Sequence, residues 1–153
     1  MFKDGEISGV IIRESKPFYD RRGWLAELFR TDDLPEGFDP CMGYLSVTHP
    51  GITRGPHEHR EQTDFFCFFG KFNLYLWDNR KHSSTYLHRQ IVNIAERLIV
   101  LVPPGVVHAY QNTGEHDGMV LNFPDRLYAG KGRKEEVDEM RYEDDPESPY
   151  KVG

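Results

Sequence analysis

The chain is expected to fold as an all-β sandwich or barrel. Short apolar runs rich in β-branched and aromatic residues recur along it, each bounded by Gly, Pro, Asn or Asp, which is the pattern of strands joined by turns. No apolar stripe at helical spacing is long enough to make a stable helix. With 153 residues, one domain can close a core without disulfide or metal staples.

Residues 7–12 are apolar and β-branched, and the Tyr19-Asp20-Arg21-Arg22-Gly23 turn ends the excursion after them. Residues 24–29 alternate, with Trp24, Ala26 and Leu28 on one side and Leu25, Glu27 and Phe29 on the other, as the strand period requires. A Pro-, Gly- and Asp-rich loop fills 31–40. Strands are expected over 41–47, 65–69, 71–77, 86–92, 98–102 and 118–123, with turns at His49-Pro50-Gly51, Asp78-Asn79-Arg80 and 93–96. Residues 131–149 are highly charged and poor in apolar side chains. The tail, about 131–153, is therefore expected to be a solvated helical turn and an extended terminus. No repeat, linker or second domain interrupts 1–153.

Composition narrows the function. Nineteen Lys and Arg stand against 25 Asp and Glu, a formal charge of −6, which argues against a general nucleic-acid binder. Cys41 and Cys67 lie in apolar runs rather than in a paired motif, so buried free thiols are expected. The first residues lack the apolar centre of a signal peptide and no run approaches the length of a membrane span, so the cytoplasm is the expected location, with no membrane partner.

The chemistry gathers in two histidine-bearing stretches. In 52–70, ITRGPHEHREQTDFFCFFG, an Arg-Gly-Pro turn delivers His57 and His59 just before a strand of nearly unbroken aromatics. Residues two apart in extended chain share a face, so both histidines are expected to look into one cavity. In 102–112, VPPGVVHAYQN, a Pro-Pro-Gly turn closes a strand and presents His108. Histidine serves as base, acid or metal ligand near neutral pH, and two such turns suggest one site built from two halves of a barrel.

These stretches resemble the two motifs of the cupin superfamily: His57-x-His59 running to Gly70, and Pro103-x-Gly105-x-x-His108-x-x-x-Asn112. More narrowly, the chain resembles a shortened, divergent member of the dTDP-4-dehydrorhamnose 3,5-epimerase family. Arg54-Gly55-Pro56-His57 is similar to that family's Arg-Gly-Leu-His. Gly70 through Asp78-Asn79-Arg80, followed by Ser84 and Thr85, is similar to its Gly-to-Asp-x-Arg segment, and Tyr128 falls where the family carries an active-site tyrosine. The resemblance implies a cupin-type jelly roll, a homodimer, no cofactor, and a nucleotide-linked 4-keto-6-deoxysugar as substrate. It implies His57 and Tyr128 as catalytic residues, and Arg22, Glu27, Arg54, His59, Arg80 and His108 as substrate-binding ones.

The residue types suit such an epimerase. A ketone at C4 acidifies the protons on its neighbouring carbons, and a base near neutral pKa can remove one. His57 is the natural base, and a phenol such as Tyr128 can return the proton from the opposite face. The enolate needs a positive or hydrogen-bonding group, and a diphosphate suits forked guanidinium donors.

Three positions depart from the family pattern. The lysine expected after the histidine motif is absent, and that neighbourhood reads Gln62-Thr63-Asp64. His59 and Lys71 are the nearest substitute cations. The aspartate that orients the family's histidine from a C-terminal segment has no counterpart, with Glu58, Glu61 or Asp64 nearest in sequence. Met42 and Tyr44 replace a polar Gln and Asn.

No metal is expected, because Thr63 stands where a cupin's carboxylate ligand belongs. Three other readings fit the same residues. One is a metal-dependent cupin using His57, His59, His108 and Asp64 or Glu61. The others are a sugar-nucleotide 3,4-ketoisomerase and a catalytically silent sugar-binding cupin.

Overall fold

Residues 65–69, Phe-Phe-Cys-Phe-Phe, offer no polar side to water, so a strand made of them needs cover on both faces. The computed structural model, which describes residues 1–153, supplies that cover with three apolar layers around two sheets. The strands are β1 (Lys3–Asp4), β2 (Ile11–Arg13), β3 (Phe18–Asp20), β4 (Gly23–Leu25), β5 (Tyr44–Thr48), β6 (Thr53–Glu58), β7 (Asp64–Phe69), β8 (Phe72–Asp78), β9 (His88–Ile94), β10 (Arg97–Val102), β11 (Val106–Asn112), β12 (Gly118–Asn122) and β13 (Met140–Arg141). One sheet runs β1-β9-β8-β11-β6-β13, the other β2-β10-β7-β12-β5, and β3-β4 is a separate hairpin. The result is the expected all-β jelly-roll sandwich, with a single 3-10 turn at Lys131–Arg133. No helix is long and apolar enough to cross a membrane.

Between the sheets, Phe66 and Phe68 of β7, Val100 and Val102 of β10 and Val120 of β12 meet Phe72, Leu74 and Leu76 of β8 and Tyr110 of β11. The alternate residues of β7, Phe65 and Cys67, face outward under Phe38, with Leu28, Phe29, Leu34 and Phe123 packed around them. On the outside of the other sheet, Tyr75, Trp77, Val107 and Ala109 are covered by Tyr150, with Phe2, Tyr142 and Val152 beside it.

Several expectations are corrected. Residues 53–58 and 106–112, read as histidine-bearing turns, are full strands, and 7–12 and 24–29 contribute only the short β2 and β4. Cys67 is buried, but Cys41 is exposed. The tail is not solvated throughout. Its first turn is exposed, but β13 pairs with β6, and Tyr150 packs edge-on to Trp77, 5.7 Å between ring centroids. Tyr142 donates to the buried Glu58 carboxylate at 2.6 Å. The sparse apolar residues of this segment are spaced to cover Trp77, which a composition average conceals.

Candidate active site

The sandwich interior changes character along its length, from aromatic and aliphatic to polar at the end where β6 leaves its sheet and β7 begins. His57 and His108 are direct partners in the β6–β11 register, so their rings share the inward face, and His59 follows two residues on. A bulge between His108 and Tyr110 shifts that register. Gly55 takes a positive φ of 88° there, and a Cβ at Gly55 would stand 2.6 Å from the His108 carbonyl oxygen. Only glycine permits this close crossing. From the facing sheet, Asp64 opens β7 on the same side as Phe66 and Phe68, and Asn122 ends β12.

Asp64 is the hub, 1% exposed. Its Oδ1 accepts hydrogen bonds from Gln62 and Asn122, each 2.8 Å, and Asn122 also donates to the Tyr44 hydroxyl. Its Oδ2 lies 3.2 Å from His59 Nε2 and 3.5 Å from His108 Nε2, yet has no hydrogen-bond partner. Both imidazoles hold a backbone carbonyl through Nδ1: His59 that of Asp138 and His108 that of Val106. Burial opposes charge on His59, but the pairing with Asp64 overcomes it and draws the imidazole up to about 9. Burial likewise works against Asp64, and the neighbouring His59 and His108 hold it at about 2. His108 is pushed down to about 4, chiefly by burial, and is neutral.

His57 faces a different set of groups. Its Nε2 donates to Glu143 Oε1 at 2.8 Å, and its Nδ1 lies 3.4 Å from Glu139 Oε1. Burial raises the Glu143 carboxyl, but the bond and charge of His57, a backbone N–H and the nearby Arg141 together outweigh it and leave the group below the usual carboxylate range. Arg141 ties the two carboxylates together, 2.7 Å from Glu139 and 3.9 Å from Glu143. Asp138 pins this strap by accepting the backbone N–H groups of Arg60, Glu61 and Gln62 at 2.8–3.1 Å.

Beside these groups opens a cleft of about 920 Å³, lined by Met42, Tyr44, His59, Gln62, Tyr128 and Arg141 together with the strap. His57 does not itself line this cleft, but Glu139, 3.4 Å from its Nδ1, does. Tyr128 is 58% exposed. The remaining sequence-expected residues lie elsewhere in the single chain. Arg22 caps the β3–β4 hairpin, paired with Asp20, and Glu27 lies 4.0 Å from Arg30. Arg54 holds Thr48 and the Val47 carbonyl. Arg80 is locked onto the buried Asp78 and the Ser8 carbonyl. Lys71 borders a separate cleft with Trp24 and Phe69.

The chain matches the family model described as dTDP-4-dehydrorhamnose 3,5-epimerase over residues 4–144. It is 32% identical over 126 residues to the probable low-salt glycan biosynthesis epimerase Agl13 of Haloferax volcanii, covering 80% of this chain and 81% of that protein. The chain belongs to the dTDP-4-dehydrorhamnose 3,5-epimerase family. The spore coat polysaccharide biosynthesis protein SpsL of Bacillus subtilis is 31% identical, with 80% of this chain and 82% of that protein covered. Among solved structures, a dTDP sugar isomerase from Desulfovibrio desulfuricans superposes with a TM-score of 0.78 at 21% identity, over 92% of this chain and 87% of that one. The 3′-monoepimerase ChmJ of Streptomyces bikiniensis, in complex with dTDP-quinovose, gives 0.75 at 22% identity, over 92% and 72%. At these identities the structures attest the fold alone.

For a member of this epimerase family, the strap is the part that sequence reasoning missed. The carboxylates beside His57 come from Glu139 and Glu143, 82 and 86 residues downstream, rather than from Glu58, Glu61 or Asp64. Glu58 points outward to Tyr142 and Asn79. Asp64 serves the other two histidines. One signal was available: Val137, Met140, Tyr142 and Tyr150 interrupt an otherwise charged run, and such residues mark a segment with a face to bury.

Proposed function

We propose that this protein epimerises a nucleotide-linked 4-keto-6-deoxysugar, with His57 as the base that removes a proton beside the carbonyl. The supporting observation is the carboxylate clamp on its imidazole. Glu143 binds Nε2 at 2.8 Å, whereas the contact of Nδ1 with Glu139 is long at 3.4 Å, and Glu139 lines the cleft. Glu143 thus fixes the tautomer with its proton on Nε2, and the lone pair on Nδ1 faces the side from which a sugar enters. A shift of the Glu139 side chain opens that approach. Tyr128, on the cleft wall, returns a proton from the opposite face of the ring. His59 and Arg141 are the positive groups nearest the place where the family's lysine is missing, so either can stabilise the enolate.

Glu143 acts through His57 and is a positioning residue. Glu143→Gln is expected to lower kcat roughly ten- to a hundredfold, part of the 10²–10⁴ that a well-placed base contributes. KM should change little, the acidic limb of the pH–rate profile should move, and Glu143→Asp should restore part of the rate. Conversion of dTDP-4-keto-6-deoxyglucose, followed by NMR, supplies the assay. Wild-type kinetics in Glu143→Gln, with an unmoved pH profile, would remove the strap from the mechanism.

A homodimer accompanies this reading. The β3–β4 hairpin exposes Phe18, Tyr19, Trp24 and Leu25, and the adjacent outer sheet face exposes Leu45, Val47 and Met119. Two copies meeting there would bury an apolar surface unusual for a monomer. They would also carry Arg22 and Glu27, remote from the cleft in their own chain, toward the partner.

A further inference from the structure

We propose that Tyr44 is a further catalytic residue, donating a hydrogen bond to the ketone oxygen of the sugar as that oxygen becomes an enolate. The inference rests on the epimerase reading and names the group in direct contact with the developing charge.

Strand geometry brings Tyr44 to the site. β5 and β6 are joined by a short connection, and beside it Arg54 of β6 holds Thr48 and the Val47 carbonyl of β5. β5 therefore arrives from the polar end of the sandwich, where it begins at Tyr44, and β6 returns there with His57. Residues two apart share a face, so Tyr44 looks inward with Ser46, which meets the Tyr110 hydroxyl, and with the buried Thr48. At the mouth it lines the cleft together with His59, Tyr128 and Glu139, and it is 46% exposed.

The hydroxyl is oriented from behind. Asn122, the partner of Tyr44 in the β5–β12 register, donates to the phenol oxygen at 2.8 Å. The sense of that bond is fixed. Asn122 Oδ1 accepts the Phe65 N–H at 2.9 Å and its Nδ2 also donates to Asp64 Oδ1 at 2.8 Å, so turning the amide over would break both. With its oxygen accepting, the phenol keeps its hydrogen for another partner, and no side chain or carbonyl of this chain takes it. A hydroxyl that accepts one hydrogen bond donates a stronger one.

Burial first, then the charge of Asp64, with Tyr110 and Glu139 adding to it, raise the phenol above its ordinary value despite the Asn122 bond. It therefore stays protonated and donates without being consumed, as stabilisation of an enolate requires. The positive groups nearby are already engaged. His59 faces Asp64 and the Asp138 carbonyl, and Arg141 faces Glu139 and Glu143. Both act on the enolate through charge, whereas Tyr44 offers an aimed hydrogen.

The test uses full-length protein and dTDP-4-keto-6-deoxyglucose labelled with carbon-13 at C4. On wild type the bound carbonyl signal is expected downfield of its free position, and Tyr44→Phe should lose that displacement while still binding the nucleotide sugar. Its kcat should fall roughly 10²–10³-fold, the usual cost of removing one such donor. Solvent exchange should fall with it, in contrast to Tyr128→Phe, and the pH–rate profile should keep its shape, in contrast to Glu143→Gln. Wild-type exchange in Tyr44→Phe, an unmoved carbonyl signal, or loss of binding in place of rate would overturn the proposal. Wild type that binds and displaces the signal but exchanges nothing would reject the epimerase reading and leave the donor standing. Should Tyr44→Phe not fold, 3-fluorotyrosine in place of Tyr44 decides. Its more acidic hydroxyl should move the carbonyl signal further downfield, and an unchanged signal would refute the contact.

Discussion

His57→Asn is expected to abolish solvent exchange at the carbons flanking the sugar ketone, a loss of about 10²–10⁴-fold, while nucleotide-sugar binding persists. Asparagine can still donate to Glu143, so the strap stays docked, but it offers no basic lone pair on the cleft side. The companion substitution separates the two faces of the reaction. Tyr128→Phe leaves the base intact, so deuterium should still enter at the abstracted position while net inversion falls. The tyrosine is 58% exposed, and stability should change little. Solvent exchange and product stereochemistry, followed together by proton NMR in deuterated water, check both outcomes. Equal loss of exchange in the two variants would mean that the tyrosine is not a far-face donor.

Asp78→Asn is expected to be the most damaging polar substitution outside the cleft. The side chain is fully buried and paired with Arg80 at 2.8 Å, and it accepts bonds from Ser83 and Thr85 at 2.7 and 2.6 Å. Breaking a buried pair of this kind costs about 3 kcal/mol. For a chain of this length that corresponds to a Tm lower by about 6–12 °C. Burial alone would raise the Asp78 carboxyl, but the bonds from Arg80, Thr85 and Ser83 outweigh it and hold the group at about 2. Because the folded value lies below the unfolded one, near 3.8, the contribution is complete above that pH. It is lost as pH falls toward 2, an amount of about 2 kcal/mol. Wild type should therefore lose stability more steeply than Asp78→Asn across that interval in thermal melts. Parallel acid limbs for the two proteins would contradict the assignment.

The same network explains why the family's Asp-x-Arg segment is legible in sequence without being at the cleft. Arg80 braces the Gly105 turn, where a Cβ would meet its Cγ at 2.6 Å, and thereby braces the strand that carries His108.

How much could be foreseen depended on whether a signal was local. Strand periodicity and turn residues located the central strands to within a residue or two, because alternation and Gly or Pro punctuation act over a few positions. Thr53–Glu58 and Val106–Asn112 escaped as strands because Pro56 and the polar His, Gln and Asn side chains disguise a half-buried face. The histidines of the site were visible from their motif. Their partners were not, since Asp138, Glu139 and Glu143 are separated from them by about eighty residues and sit in a run whose charge resembles a solvated tail. Asp64 stood out only as one of several carboxylates near the histidines in sequence. Its place on the inward face of β7 follows only from the register that buries Phe66 and Phe68.

Deuterium incorporation by the wild-type protein tests the central claim most directly. Incubated with dTDP-4-keto-6-deoxyglucose in deuterated water, it is expected to exchange the proton on C3, C5 or both, with inversion at an exchanged centre. Binding of the nucleotide sugar with no exchange at either carbon would contradict the account and leave this fold as a sugar-binding module.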